Sequence, residues 1–264
     1  MAEIGRLTRA VAPRPWMMPV MLLRVVIVLA VLLIWQFLSA SGWFYRGVVP
    51  SLPTIAGALA KLLSGGDLYW NLWVTIDEIA VGLAIGGLSG LVAGLVIGGN
   101  KFIAEAFEPY LYYLGPTPKI IFFPVMIMWF GVGAGSKIAM GAVSCFFPIA
   151  LNVAASMRQI DQVLIRVGTS FRANPWQMAT KIYLPAMRPA VINGLRLGLG
   201  VALIGTLLAE TKLSNRGIGA MVMQAYAAFD MPRMYAILIV LFALAIGVNA
   251  LVARFGGLDA IKQK

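Results

Sequence analysis

Six apolar blocks of bilayer length constrain this chain more than any single residue does: Val20 to Leu38, Ile79 to Ile97, Ile120 to Phe130 with the segment upstream of it, Ile138 to Ala155, Ala190 to Ala209, and Tyr235 to Val252. A helix needs about 20 predominantly apolar residues to cross roughly 30 Å of hydrocarbon. Within hydrocarbon, a helix satisfies its own backbone where irregular chain cannot. The expected fold is therefore an all-α integral membrane protein with about six transmembrane helices. Composition agrees, because 61% hydrophobic and 12% charged residues depart far from the roughly 45–50% and 25% of soluble domains.

The first block exceeds the 7–15-residue apolar region of a cleaved signal peptide and lacks a small-residue cleavage site behind it, so a permanent helix is expected. The net charge of +11 does not imply nucleic acid, since the cations fall in the gaps between apolar blocks instead of forming one stripe. With the N-terminus inside, thirteen of the 21 Lys and Arg residues fall on the cytoplasmic side and six outside, with Lys119 and Arg196 near the membrane unassigned. This bias follows the positive-inside rule and places both termini in the cytoplasm.

Catalytic chemistry has little to work with. There is no histidine, which removes the usual general base and most zinc sites. The single cysteine, Cys145, lies in an apolar helix and reads as a small buried hydrophobe. The stretch Gly131 to Ile138 superficially resembles a phosphate-binding loop, but Ser136 replaces the second glycine and Ile138 the hydroxyl residue, and no strand precedes it. No cofactor or metal site is expected on this chain.

Residues 1–19 read as a cytoplasmic segment, 20–40 as the first span, and 41–70 as an outer loop holding a short interfacial helix over Ile55 to Leu63. Trp43, Phe44, Tyr45, Tyr69, Trp70 and Trp73 flank the first two spans as headgroup-layer anchors. The second span places Gly82, Gly86, Gly90, Gly94 and Gly98 four residues apart, a smooth face suited to close helix packing in lipid. The third is interrupted by Gly115, Pro116, Pro118 and Pro124. That makes Pro116, Pro118, Lys119, Pro124, Trp129 and Phe130 candidates for lining a passage, with a simple kink as the alternative.

Between the fourth and fifth blocks, residues 158–188 are polar and cationic. Their pattern suggests two short amphipathic helices separated by Ala173-Asn174-Pro175, with Pro185 stopping the second. Glu210 ends the fifth span, where a carboxylate requires a cationic partner; Lys212 and Arg216 are nearest in sequence. It reads either as an interfacial residue or as a functional one, an outer gate or a contact with a solute-delivering protein. Arg196 either snorkels to the inner surface or lines an inner vestibule.

The order of segments from about Pro50 to Gly219 resembles the permease subunits of bacterial ABC importers of the nitrate, sulfonate and taurine type. The likeness is carried by Pro50-Ser51-Leu52-Pro53, by Pro116 to Pro124 leading into Trp129-Phe130-Gly131 and Gly133, by Ser136-Lys137-Ile138, and by Ala209-Glu210 with Gly217-Ile218-Gly219. The inner loop is similar to the family's EAA loop, E-A-A-x3-G-x9-I-x-L-P. Aligned on Ile182, Leu184 and Pro185, Arg166, Val167 and Gly168 occupy the E-A-A positions and Arg172 the glycine. If positive φ is required there, a larger residue costs about a kcal/mol or more, and Asn174, which tolerates that conformation, is available to take over the turn.

The resemblance implies a type I ABC importer permease fold over residues 71–254, with 158–188 as the coupling loop and 255–264 as a cytoplasmic tail. It implies a homodimer in the bacterial inner membrane, a separate cytoplasmic ATPase carrying ATP and Mg, and an extracytoplasmic binding protein. The solute would be a small anion such as a sulfonate, taurine, nitrate or organic acid, although Gly115 stands where many members carry a basic residue. An ion-coupled secondary transporter is the alternative, but it normally places acidic residues in several spans.

Overall fold

A computed structural model describes residues 17–45 and 47–260, with side chains described over residues 20–45 and 47–250. The cytoplasmic ends expected at 1–19 and 255–264 lie outside it, except where the first and last helices reach into them. Two units divide the chain at residues 57 and 58.

The first unit carries α1 (Met17–Ser41), whose span Val20–Ser41 has a mean hydropathy of 2.6 and buries none of its apolar window. A helix apolar all round and unburied by protein is built for a lipid surround. The chain turns back after it: Trp35 Nε1 donates to the Pro50 carbonyl at 3.0 Å, and the Leu52 amide donates to Gln36 Oε1 at 3.1 Å. The short helix expected near Ile55 is α2 (Leu52–Ser64).

The second unit is organised on α3 (Gly66–Gly99), α6 (Ala134–Met157) and α10 (Arg188–Lys212). The glycine face of α3 meets α6 along its length. A Cβ on Gly94 would lie 2.6 Å from Val153 Cβ and 2.7 Å from the Ala150 carbonyl oxygen, and one on Gly86 would lie 2.5 Å from Cys145 Sγ. Gly98 meets Met157 Cβ and Gly90 the Phe146 carbonyl in the same way. Cys145 is fully buried in this seam, a small hydrophobe as its surroundings require. The other side of α6 takes α10 through small residues again: Gly198 faces Ile149, Gly205 faces Ser144, and Gly141 of α6 faces Thr206. Without a hydrophobic drive between helices in lipid, this contact distance is what dispersion attraction needs.

The third crossing is broken. It comprises α4 (Lys101–Leu114), a 3₁₀ turn (Lys119–Phe122) and α5 (Phe123–Phe130), with a bend of 94° between the two halves. Asn100 caps α4, accepting from the amides of Phe102 and Ile103. The break falls at Gly115-Pro116-Thr117-Pro118, where two prolines remove donors and bar helix in the residues before them. Counting this pair as one crossing gives six candidate spans among the described residues.

The chain between the fifth and sixth spans is not a simple loop. It folds into α11 (Ile218–Ala227), whose Ile218, Met221 and Ala225 are buried with Leu62, Leu68, Ala236 and Ile237. A left-handed Phe229 (φ 55°) closes α11, and α12 (Met231–Ala260) follows, its start capped by Asp230 accepting from the Arg233 amide.

Candidate functional site

The expected loop residues form one folded element. Asp161 caps α7 (Gln162–Ser170) by accepting from the Val163 amide. The helix ends in two backbone bonds, Ala173 N–H to the Gly168 carbonyl at 3.0 Å and Arg172 N–H to the Thr169 carbonyl at 2.9 Å. Such a pair terminates a helix when the residue after the cap is left-handed. That residue is Arg172, at φ 52°. The expectation that Asn174 would take over the turn is thus corrected. Asn174 is extended (φ −71°, ψ 164°) and instead caps the next helix in a reciprocal box with Gln177.

The second arm runs through α8 (Pro175–Gln177), a π-helical turn (Met178–Tyr183) and α9 (Leu184–Ala186). Pro185 does not stop it at once; the wider π turn accommodates a residue that has no N–H to give, and the helix ends at Ala186. Gly168 is buried where the arms cross, and a Cβ there would meet Ile182 Cδ1 and lie 2.5 Å from Met178 Sδ. Ile182 and Leu184 are half-buried in the element, while Arg166, Val167, Arg172, Asn174 and Pro185 are exposed and Ala173 is intermediate. Phe171 and Trp176 stand out at 81% and 75% exposed. The result is a stiff two-helix bracket with an apolar and cationic tip.

A bidentate ion pair ties the bracket's root to the broken span. Arg158, which follows α6, donates from Nη1 and Nη2 to Glu108 of α4, both at 2.6 Å. The hydrogen-bonded carboxylate holds the guanidinium pKa above its ordinary value. Of the passage candidates, Pro116, Pro118, Pro124, Trp129 and Phe130 are exposed on this chain. Lys119 folds back onto the Gly115 carbonyl and lies 5.1 Å from the centre of the Phe147 ring. Arg196 is exposed on α10.

Glu210 is 1% exposed, and its partners are not those nearest in sequence. It accepts from Thr75 Oγ1 of α3 at 2.7 Å and from the Gly219 amide at 2.7 Å. Lys212 and Arg216 make no ion pair with it, which corrects the expected partners. The same hydroxyl of Thr75 accepts from the Ile218 amide at 2.9 Å, and Asn71 Oδ1 from the Gly217 amide at 2.7 Å. Gly217, at φ 96°, wraps the carboxylate so closely that a Cβ would lie 2.6 Å from Oε2. The carboxylate therefore pins the start of α11 to α3, a latch and not an exposed contact. Unpaired amides at a helix start are satisfied by a nearby carboxylate.

Glu78 and Lys137 lie beside this cluster, and the sequence suggested no burial for either. Glu78 is 3% and Lys137 2% exposed. Lys137 Nζ donates to the carbonyls of Val132 and Gly133, so it is committed to the turn after α5 and not displayed for a phosphate. The signal available was one charge at the edge of each of three apolar blocks, Glu78, Lys137 and Glu210. Among the described residues no three His, Cys, Asp or Glu side chains gather as a metal centre.

These elements match known proteins. Residues 86–257 fit the model of the family described as binding-protein-dependent transport system inner membrane component. A "Probable ABC transporter permease protein" of Haemophilus influenzae is 30% identical over 231 residues, covering 87% of this chain and 93% of the relative. The taurine transport system permease protein TauC of Escherichia coli is 31% identical over 211 residues, covering 78% of this chain and 76% of the relative. The riboflavin transport system permease protein RibX of Chloroflexus aurantiacus is 27% identical, covering 80% and 78%. In fold, a chain of the MetNI methionine ABC transporter, solved in inward-facing conformations, superposes with a TM-score of 0.63 at 20% identity, over 78% of this chain and 97% of that one. The chain accordingly belongs to the multi-pass inner-membrane permease components of binding-protein-dependent transport systems.

Proposed function

We propose that two copies of this chain enclose the translocation pathway of an ATP-driven importer, that a cytoplasmic ATPase docks on residues 158–188 of each, and that an extracytoplasmic binding protein delivers the solute. Both termini lie in the cytoplasm in this reading, and ATP and Mg are held by the ATPase, with no cofactor on this chain. The observation that carries it is the bracket at Gly168. Two short helices fixed at one crossing point, presenting Phe171 and Trp176 at the tip, form a lever whose displacement moves α6 and α10 directly at its two roots.

The solute is a small anion such as a sulfonate, taurine, nitrate or organic acid, a reading supported by the taurine permease among the relatives. Family membership sets aside the ion-coupled secondary transporter. The test is reconstitution of the chain with its ATPase in vesicles. Gly168→Arg, which drives the two arms apart, is expected to leave ATP hydrolysis while abolishing uptake. Unchanged coupling would overturn the bracket's role.

A further inference from the structure

One face of α3 carries chemistry that the latch does not use. Trp70, Trp73, Asp77 and Glu78 recur at helical spacing and line a cleft of about 510 Å³, a volume within the range of small-ligand sites. Lys137 and Arg216 line the same cleft from α6 and from the turn before α11. Trp70 and Trp73 are more than half exposed, and Asp77 and Arg216 are exposed. Glu78 sits in the wall, nearly fully buried, and its Oε2 meets no hydrogen-bond donor among the described residues. A buried acceptor without a donor forfeits the hydrogen bonds it would make to water, and an entering N–H group would restore one.

Both charge signs face one cleft. A site for a plain anion has no use for Asp77 and Glu78, and a site for a plain cation has none for Arg216. Tryptophan faces beside carboxylates attract organic ammonium groups, while a guanidinium suits a sulfonate or phosphate fork. We infer that this cleft binds a small organic zwitterion, its ammonium against Trp70, Trp73, Asp77 and Glu78 and its oxyanion against Arg216. The inference rests on the proposed topology, which puts the cleft on the solute-entry side and at headgroup depth. A transported aminoalkyl oxyanion and a phosphatidylethanolamine headgroup share this chemistry.

The experiment is calorimetric titration of the full purified chain in phosphatidylglycerol nanodiscs with 2-aminoethanesulfonate, ethanesulfonate and ethylammonium. The zwitterion is expected to bind at least about tenfold more tightly than either half-molecule. Asp77→Asn and Arg216→Gln, both at exposed positions, should each weaken it about tenfold without altering thermal unfolding. Glu78→Gln is the buried counterpart and should weaken only the ammonium-bearing probes. A loss of apparent affinity in phosphatidylethanolamine nanodiscs assigns the site to the lipid headgroup; indifference to that lipid assigns it to free solute. Absence of saturable binding, equal binding of ethanesulfonate, or unchanged binding by both exposed variants overturns the inference. No ATPase is needed, so failure here leaves the importer reading standing, and failure of ATPase docking leaves the titration interpretable.

Discussion

Two glycines seven residues apart on α3 should respond to the same substitution with opposite sign. A Cβ on Gly94 would approach Val153 Cβ at 2.6 Å and the Ala150 carbonyl oxygen at 2.7 Å; one on Gly87 would make ordinary contacts, 3.6 Å to Leu195 Cδ2 and 3.7 Å to Ile149 Cδ1. The Gly94 obstacles are backbone and a branched Cβ, which cannot swing aside, so α3 and α6 must separate and loosen the seam at Gly86, Gly90 and Gly98 as well. Overpacking of this kind costs about 1–3 kcal/mol, and the upper half applies where a rigid helix transmits the shift. Alanine returns about 1 kcal/mol of helix propensity, leaving Gly94→Ala destabilised by about 1–2 kcal/mol. Gly87→Ala keeps the propensity gain and adds a contact, so it is stabilised by up to about 1 kcal/mol. At roughly 2–4 °C per kcal/mol for a chain of this size, the two variants should unfold about 2–12 °C apart in mild detergent. Equal melting temperatures, or Gly94→Ala the more stable, would refute the close-packed seam.

Other consequences follow from single contacts. Arg172→Gly should stabilise the chain by about 1 kcal/mol, because the left-handed φ of 52° costs an L-residue about 1–2 kcal/mol, whereas Arg172→Val should destabilise it; thermal unfolding reads both. Glu210→Ala should cost about 2–4 kcal/mol by leaving Thr75 and the Gly219 amide without an acceptor, and protease accessibility near Arg216 should rise as α11 detaches. Glu108→Gln and Arg158→Gln should be non-additive, with a coupling of about 0.5–1 kcal/mol for a partly exposed bidentate pair, measured by a double-mutant cycle.

Much of this architecture was legible because its causes are local. Apolar block length dictates a span, a glycine every fourth residue dictates a close-packed face, and two prolines within three residues dictate the break at Pro116 and Pro118. The bracket was legible through Asn174, Pro175 and the apolar positions around them. What escaped is held by distant partners: Thr75 and Glu210 are 135 residues apart, and nothing near either one in the chain announces the other. Glu78 and Lys137 likewise become buried only once α3, α6 and α10 are packed. Arg172 escaped for another reason. A residue type disfavoured at positive φ is carried there by the closing hydrogen bonds of α7, so local propensity pointed to Asn174 and tertiary geometry overruled it.

The central claim is that residues 158–188 dock a separate ATPase, and affinity purification of the tagged chain from mild detergent, with mass spectrometry of its partners, tests it most directly. The account predicts an ATPase recovered in equal proportion to the chain and lost from Phe171→Ser/Trp176→Ser, whose fold is untouched because both side chains are exposed. A chain that transports alone, or an ATPase retained by that variant and by Gly168→Arg alike, would contradict it.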